Sequence, residues 1–248
     1  MQEDLHRRVQ NTQQVPDGMS RLGSQRGIVG SVIVAALLTG VVALVCFAPT
    51  NAQGVRYYAG YAFLVYGFPL PGPPYGVSAR IYTINKNVPT GQFYAQWPTA
   101  VLSYAMDYWV QVGYTKGYDT NYQLKWYAEK IDATGYKKTW WNASSPSAGI
   151  TYTYWIKRTV LPAVWSGGSS SWSWSFGVLS PNVPVDYQAF SETTSTGINI
   201  AGTHFSSLSI LSYNGIDWIP WYQHAYYVDP PYTLTQVSNS EFYASGGG

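Results

Sequence analysis

Beyond residue 47 this 248-residue chain contains three glutamates, Glu129, Glu192 and Glu241. One of them lies in Phe190-Ser191-Glu192-Thr193-Thr194, downstream of the strand-like run Trp109-Val110-Gln111-Val112-Gly113. A carboxylate can take a proton from water and return it to a leaving group. A primary amide, with one acceptor and two donors, can orient that water and donate to an oxyanion. A glutamine and a glutamate brought together from separate strands therefore suffice for hydrolysis without metal, cysteine or histidine. In an extended strand Trp109, Gln111 and Gly113 share one face, and Gly113 leaves space beside the amide for something to approach. Glu192 likewise shares a face with Asp186, Gln188 and Phe190, and an aromatic-lined sheet face is a setting in which carboxylates are tuned for proton transfer. The same residues also admit a plainer reading, a Gln satisfied by its neighbouring strands and a carboxylate at a sheet edge.

Other chemistries find less support. There is no His-Glu-x-x-His, no Gly-x-Ser-x-Gly, no phosphate-binding loop and no cysteine pair. His204 and His224, far apart in sequence, do not define a zinc site, and no metal or cofactor is expected. Paired carboxylates for glycoside cleavage remain open, with Glu129 or Asp186 beside Glu192. A charged fraction of 10% and a formal net charge of +2 give no footprint for nucleic acid.

The elements that must position these residues follow from the remainder of the chain. Residues 1–27 are polar with four arginines and read as a cytoplasmic tail. Residues 28–47 are apolar and charge-free, long enough for a transmembrane helix; with Thr50-Asn51-Ala52 after them they also suit a signal peptide cleaved after Ala52. Either way the remainder is expected outside the cytoplasm, as a single-pass membrane protein with an extracellular ectodomain or as a secreted one. The one cysteine, Cys46, lies in the apolar run, so the ectodomain has no disulfide and depends on packing, supplied by 11 Trp and 23 Tyr. Few carboxylates also means few ion pairs to lose in acid.

Residues 48–74, rich in Pro, Gly and Tyr, read as a linker with little ladder bonding. From residue 75 the hydrophobic period is two, over 75–82, 108–114, 122–131, 150–157, 172–178, 183–192, 205–211 and 218–222. Turn signals separate these runs, among them Ala133-Thr134-Gly135, Ser166-Gly167-Gly168-Ser169 and Asn214-Gly215. The expectation is an all-β ectodomain over 75–245, an antiparallel β-sandwich or jelly roll.

Two segments together resemble the glutamic peptidases, or eqolisins, and the related neprosin domains. Trp109-Val110-Gln111-Val112-Gly113 is similar to that family's glutamine strand and Tyr122-Gln123-Leu124-Lys125-Trp126-Tyr127 to the aromatic strand after it. Glu192 in Ala189-Phe190-Ser191-Glu192 falls where the family keeps its glutamate, and Phe205-Ser206-Ser207-Leu208-Ser209-Ile210 looks like the next strand. The pattern departs from the family before the glutamine strand, where Ser103-Tyr104-Ala105-Met106-Asp107 stands in place of a Trp and Gly-rich turn, and after Glu192, where Thr193 replaces an aromatic. The resemblance implies a concanavalin A-like sandwich and an acid endopeptidase acting on polypeptides. In it Glu192 would be the general base and then acid, and Gln111 would hold the water and the oxyanion. Trp109, Gly113, Trp126 and Phe190 would line the substrate site.

A competing reading is a non-catalytic surface module. Trp172 with Trp174, Trp140-Trp141, and Trp218 with Trp221 could stack on a surface glycan or a protein partner, though such rings more often fill a core. Asn142-Ala143-Ser144 is a glycosylation sequon placed in a loop, with Asn142 as acceptor. A structural filament subunit is a third reading, suggested by Gln25-Arg26-Gly27 before the apolar run, but no acidic residue stands just inside that run.

Overall fold

The computed structural model describes residues 55–65 and 72–248. In chain order its strands are β1 (Tyr57–Leu64), β2 (Gly76–Tyr82), β3 (Phe93–Val101), β4 (Trp109–Gly117), β5 (Lys125–Asp132), β6 (Gly135–Trp141), β7 (Thr151–Arg158) and β8 (Val164–Ser169). They continue with β9 (Trp172–Val178), β10 (Asp186–Thr193), β11 (Thr203–Leu211), β12 (Trp218–Pro220), β13 (Ala225–Val228), β14 (Thr233–Ser238) and β15 (Glu241–Ser245). Among the described residues the only helical piece is one 3-10 turn, Tyr118–Thr120.

The strands form two antiparallel sheets packed as a sandwich. One runs β13-β1-β10-β3-β4-β5-β6; the other runs β14-β15-β11-β2-β7-β8-β9, with β12 paired to β11. Alternation along each strand sends one set of side chains between the sheets. That interior holds Val110, Val112 and Tyr114 of β4, Tyr187 and Ala189 of β10, and Trp126 and Ala128 of β5. Against them the second sheet packs Val77 and Ile81 of β2, Tyr154 and Ile156 of β7, and Phe205 of β11. Buried aromatics carry much of the contact, as a disulfide-free sandwich requires.

Three sequence expectations change here. The stretch 48–74 is not all linker: Tyr57–Leu64 is β1, paired along its whole length with β10 and over Ala59–Ala62 with β13. It escaped detection because it is buried on both faces, so no polar alternation marks it. Ser166-Gly167-Gly168-Ser169 is not a turn but most of β8, paired with β7 and β9. Phe93–Val101, which shows no alternation and carries Pro98, is the central strand β3. Its ladder to β4 has partners at Gln96 and again at Thr99, interrupted where Pro98 has no N–H to give.

The expected tail at 1–27 and the apolar run at 28–47 lie outside the described residues. Among the described residues no helix is long and apolar enough to cross a membrane.

Candidate active site

The catalytic and substrate-site candidates that the sequence singled out, apart from Trp126, lie on the seven-stranded sheet, on the face turned away from the second sheet. Because Cα partners in an antiparallel ladder present side chains to the same face, the register places them in rows. Gln188 of β10, Thr99 of β3, Gln111 of β4, Glu129 of β5 and Lys138 of β6 form one row. The next row carries Gly60, Phe190, Trp97, Gly113, Tyr127 and Trp140, and the one beyond it Tyr58, Glu192 and Ala95.

Glu192, 5% exposed, is bound at both oxygens. Arg56, just before β1, donates from Nη1 to Oε1, and Trp97 Nε1 donates to Oε2 at 2.9 Å. The guanidinium also lies over the Phe93 ring, 4.5 Å from its centroid. Burial opposes the charge on Arg56, but the adjoining Glu192 carboxylate more than restores it, so the arginine holds its proton more tightly than usual. Two of the roughly four lone-pair positions on the carboxylate are used, which leaves two able to accept further hydrogen bonds.

Gln111, 3% exposed, is bound on every polar atom. Its Nε2 donates to Tyr127 Oη at 2.6 Å and to Glu129 Oε1 at 2.8 Å, while Thr99 Oγ1 donates to its Oε1 at 2.8 Å. Glu129 in turn accepts from Tyr136 Oη at 2.6 Å and lies 3.8 Å from Lys138 Nζ. Burial raises the Glu129 pKa, against the opposing pull of Lys138 and the Tyr136 bond, and the nearby Glu192 charge adds to the rise. Tyr127 is likewise pushed up by burial and by Glu129 and Glu192.

Gln111 and Glu192 thus share a face without touching one another. Two strand spacings and four residues of strand length put their Cα atoms roughly 16 Å apart on ideal sheet dimensions. Trp97 stands between them. The space expected at Gly113 is filled by this neighbour: a Cβ there would meet Gln96 O at 2.1 Å and Trp97 Cβ at 2.9 Å. Gly113 is required for the close approach of β3 to β4, not for an open slot.

Trp109 and Phe190 lie on this face, Trp109 against Tyr136 and Phe190 against Trp97. Trp126 does not. Strand parity turns it into the sandwich interior, where its Nε1 donates to Tyr154 Oη at 3.2 Å, and its neighbour Tyr127 takes the place beside Gln111. Asp186 lies at the far end of the Glu192 face of β10 and is bonded to Gln188. The site residues that the sequence reading missed are Arg56, Trp97, Thr99, Tyr127, Tyr136 and Lys138. The first three belong to or adjoin the two strands that lacked an alternating pattern.

The remaining aromatic pairs mostly serve packing. Trp172 lies in the core against Trp141, Trp174 packs onto that core, and Trp221 is buried; Trp218 is exposed. Asn142 is exposed in the loop after β6. His204 stacks on Tyr243 and bonds Glu241, while His224 stacks on Tyr61; no His, Cys, Asp and Glu cluster suited to a metal occurs among the described residues.

No protein-family model matches the sequence. No curated protein matches it either. Solved structures do. Scytalido-glutamic peptidase with a transition state analog inhibitor aligns at a TM-score of 0.57 and 11% identity, over 78% of this chain and 100% of that one. The same peptidase with a peptide-based transition state analog aligns at 0.54 and 10%, over 79% and 100%. SCP-B, a member of the eqolisin family in complex with the tripeptide Ala-Ile-His, aligns at 0.53 and 11%, over 78% and 100%. The chain therefore has the peptidase-like β-sandwich fold that the two motifs suggested.

Proposed function

We propose that this protein is a glutamic-type acid endopeptidase in which Glu192 and Gln111 hydrolyse peptide bonds without a cofactor. The observation that carries the reading is their placement on one face of one sheet, with Trp97 between them and bonded to Glu192, in a sandwich that spans the full length of glutamic peptidase structures. Glu192 takes a proton from water as that water attacks the peptide carbonyl, and returns it to the departing amine; no covalent enzyme intermediate forms. Gln111 serves the carbonyl oxygen as it becomes an oxyanion.

In this mechanism the two residues serve different atoms of the reacting pair. If each side chain leans inward by about 4 to 5 Å, some 7 Å remains, about the span of one water plus a peptide carbonyl with its two hydrogen bonds. Trp97 holds Glu192 on the inward side by its bond to Oε2. Trp109, Phe190 and Tyr127 supply apolar and hydroxyl surface for the flanking substrate residues, and Arg56 must yield Oε1 when substrate and water enter.

The enzyme works outside the cytoplasm, held by residues 28–47 or released after Ala52. Protease protection in intact and lysed cells distinguishes that placement from a cytoplasmic one.

The direct test is hydrolysis of a denatured protein by the full chain from about pH 2 to 7, a range chosen around carboxylate titration. Glu192→Gln should lower kcat by on the order of a thousandfold or more, and Gln111→Ala by about a hundredfold, the usual worth of an oxyanion donor. Hydrolysis that persists at the wild-type rate in both variants would sink the mechanism.

A further inference from the structure

Gln111 can stabilise an oxyanion only if an amide N–H points at it, and in this structure both are committed elsewhere. The partners differ in what they allow. The hydroxyls of Thr99 and Tyr127 can each donate or accept, so they fit either orientation of the amide. An ionised Glu129 can only accept, and therefore demands an N–H. One proton on Glu129 thus decides which way the amide faces.

We propose that Glu129 is the positioning residue for Gln111: ionised, it holds the amide N–H groups on the β5 side; protonated, it donates to Gln111 Oε1 and turns the N–H groups toward β3 and Glu192. In the turned state Tyr127 donates to the remaining lone pair of Oε1, and Thr99 Oγ1 accepts one N–H. The second N–H is left free on the β3 side, facing Trp97 and, beyond it, Glu192. No atom leaves the site; a proton taken up by Glu129 is exchanged with water.

The neighbours of Glu129 are consistent with this role. From β6, Tyr136 Oη and Lys138 Nζ both face its Oε2, which leaves Oε1 for Gln111. Lys138 is shared with Asp119 at 3.0 Å, which divides its charge between two carboxylates. Across the face, Glu192 and Arg56 act on Glu129 with opposite signs, and they are themselves paired. Tyr127 and Gln111 complete the surroundings from β5 and β4. Burial favours the protonated carboxyl, so the turned state persists to higher pH than an ordinary carboxyl would allow.

This inference rests on Gln111 being the oxyanion donor, and its test separates the two. The side-chain amide signals of Gln111 are followed by 15N NMR in the full-length protein from about pH 3 to pH 8, identified by their loss in Gln111→Ala. A single titration step centred above the ordinary carboxylate range, absent in Glu129→Gln, is the expected result. Gln111 signals that stay flat in wild type while other carboxylates titrate would overturn it, and this measurement needs no Glu129 variant to fold.

In Glu129→Gln the new carbonyl takes the side of Tyr136 and Lys138, so its –NH2 faces Gln111 and mimics the protonated acid at every pH. Peptide hydrolysis by this variant should therefore lose the alkaline fall in kcat expected of wild type, retaining about tenfold more activity one pH unit above the wild-type midpoint, with KM little changed. An unchanged pH profile would count against the inference. If wild type cleaves no peptide at any pH, the peptidase reading fails, and the amide titration still decides whether Glu129 controls Gln111.

Discussion

Replacing Asp186 with Asn should stabilise the protein at neutral pH and leave it unchanged in acid. Asp186 is 1% exposed, at the start of β10 between β1 and β3. Gln188 Nε2 donates to its Oδ2 at 2.8 Å, while its Oδ1 has no hydrogen-bond partner among the described residues. Burial is the largest influence on it and outweighs the Gln188 and backbone hydrogen bonds, raising its pKa from 3.8 to about 7.

The sign follows from which state binds the proton more tightly. Unfolded chains release it near the ordinary Asp value, whereas the folded protein keeps it to about 7, so folding stability falls as pH rises across that window and stays lower above it. About three decades of proton affinity correspond to ~4 kcal/mol, a large part of the 5–15 kcal/mol typical of a domain. Asn has the same shape and no charge to desolvate. Urea unfolding at a series of pH values should give equal midpoints for wild type and Asp186→Asn near pH 3. The variant should be more stable by up to about 4 kcal/mol near pH 8, with unchanged m. A variant no more stable than wild type at pH 8 would refute the reasoning, whatever other groups contribute to the slope.

Other perturbations probe the site more locally. Gly113→Ala forces a methyl against Gln96 O and Trp97 Cβ, and should cost about 1 to 3 kcal/mol in urea unfolding. Trp97→Phe keeps a ring but removes the donor to Glu192 Oε2, a bond to a charged group worth about 1.5 to 3 kcal/mol. Peptide hydrolysis should fall while the far-ultraviolet circular dichroism stays that of the wild type. Trp126→Phe should do the reverse, lowering the unfolding midpoint with KM unchanged, because Trp126 faces the interior.

The sequence made strands with one polar face legible and strands without such alternation obscure. Strands β4, β5, β7, β9 and β11 alternate because one of their faces is less crowded or polar, and their bounds fall within a few residues of the expected runs. Strands β1 and β3 are buried on both faces and flanked by others on both sides, so their sequences, Tyr57–Leu64 and Phe93–Val101, show no period of two. The same blind spot hid half the site. Parity alone put Gln111 with Trp109 and Gly113, and Glu192 with Asp186 and Phe190. Which strand lies between them depends on long-range pairing, and without β3 neither Trp97 nor Thr99 could be placed. Trp126 shows the limit in another form: a motif two residues wide identifies an aromatic strand, but only the register tells that Tyr127, not Trp126, faces the amide.

A chain with so little charge places three carboxylates, Asp186, Glu129 and Glu192, on one sheet face, with Arg56 and Lys138 to answer them. One cause, burial, raises both Asp186 and Glu129, yet the consequences separate because the two contact different partners. Asp186 touches Gln188 and no residue of the proposed reaction, so its proton sets stability. Glu129 touches Gln111, so in the proposed mechanism its proton sets the direction of that amide. Asp186→Asn should then shift the pH dependence of unfolding and leave that of kcat in place, whereas Glu129→Gln should shift that of kcat. If both variants move both profiles equally, the acid preference belongs to the fold as a whole, and no single carboxylate on this face controls the chemistry.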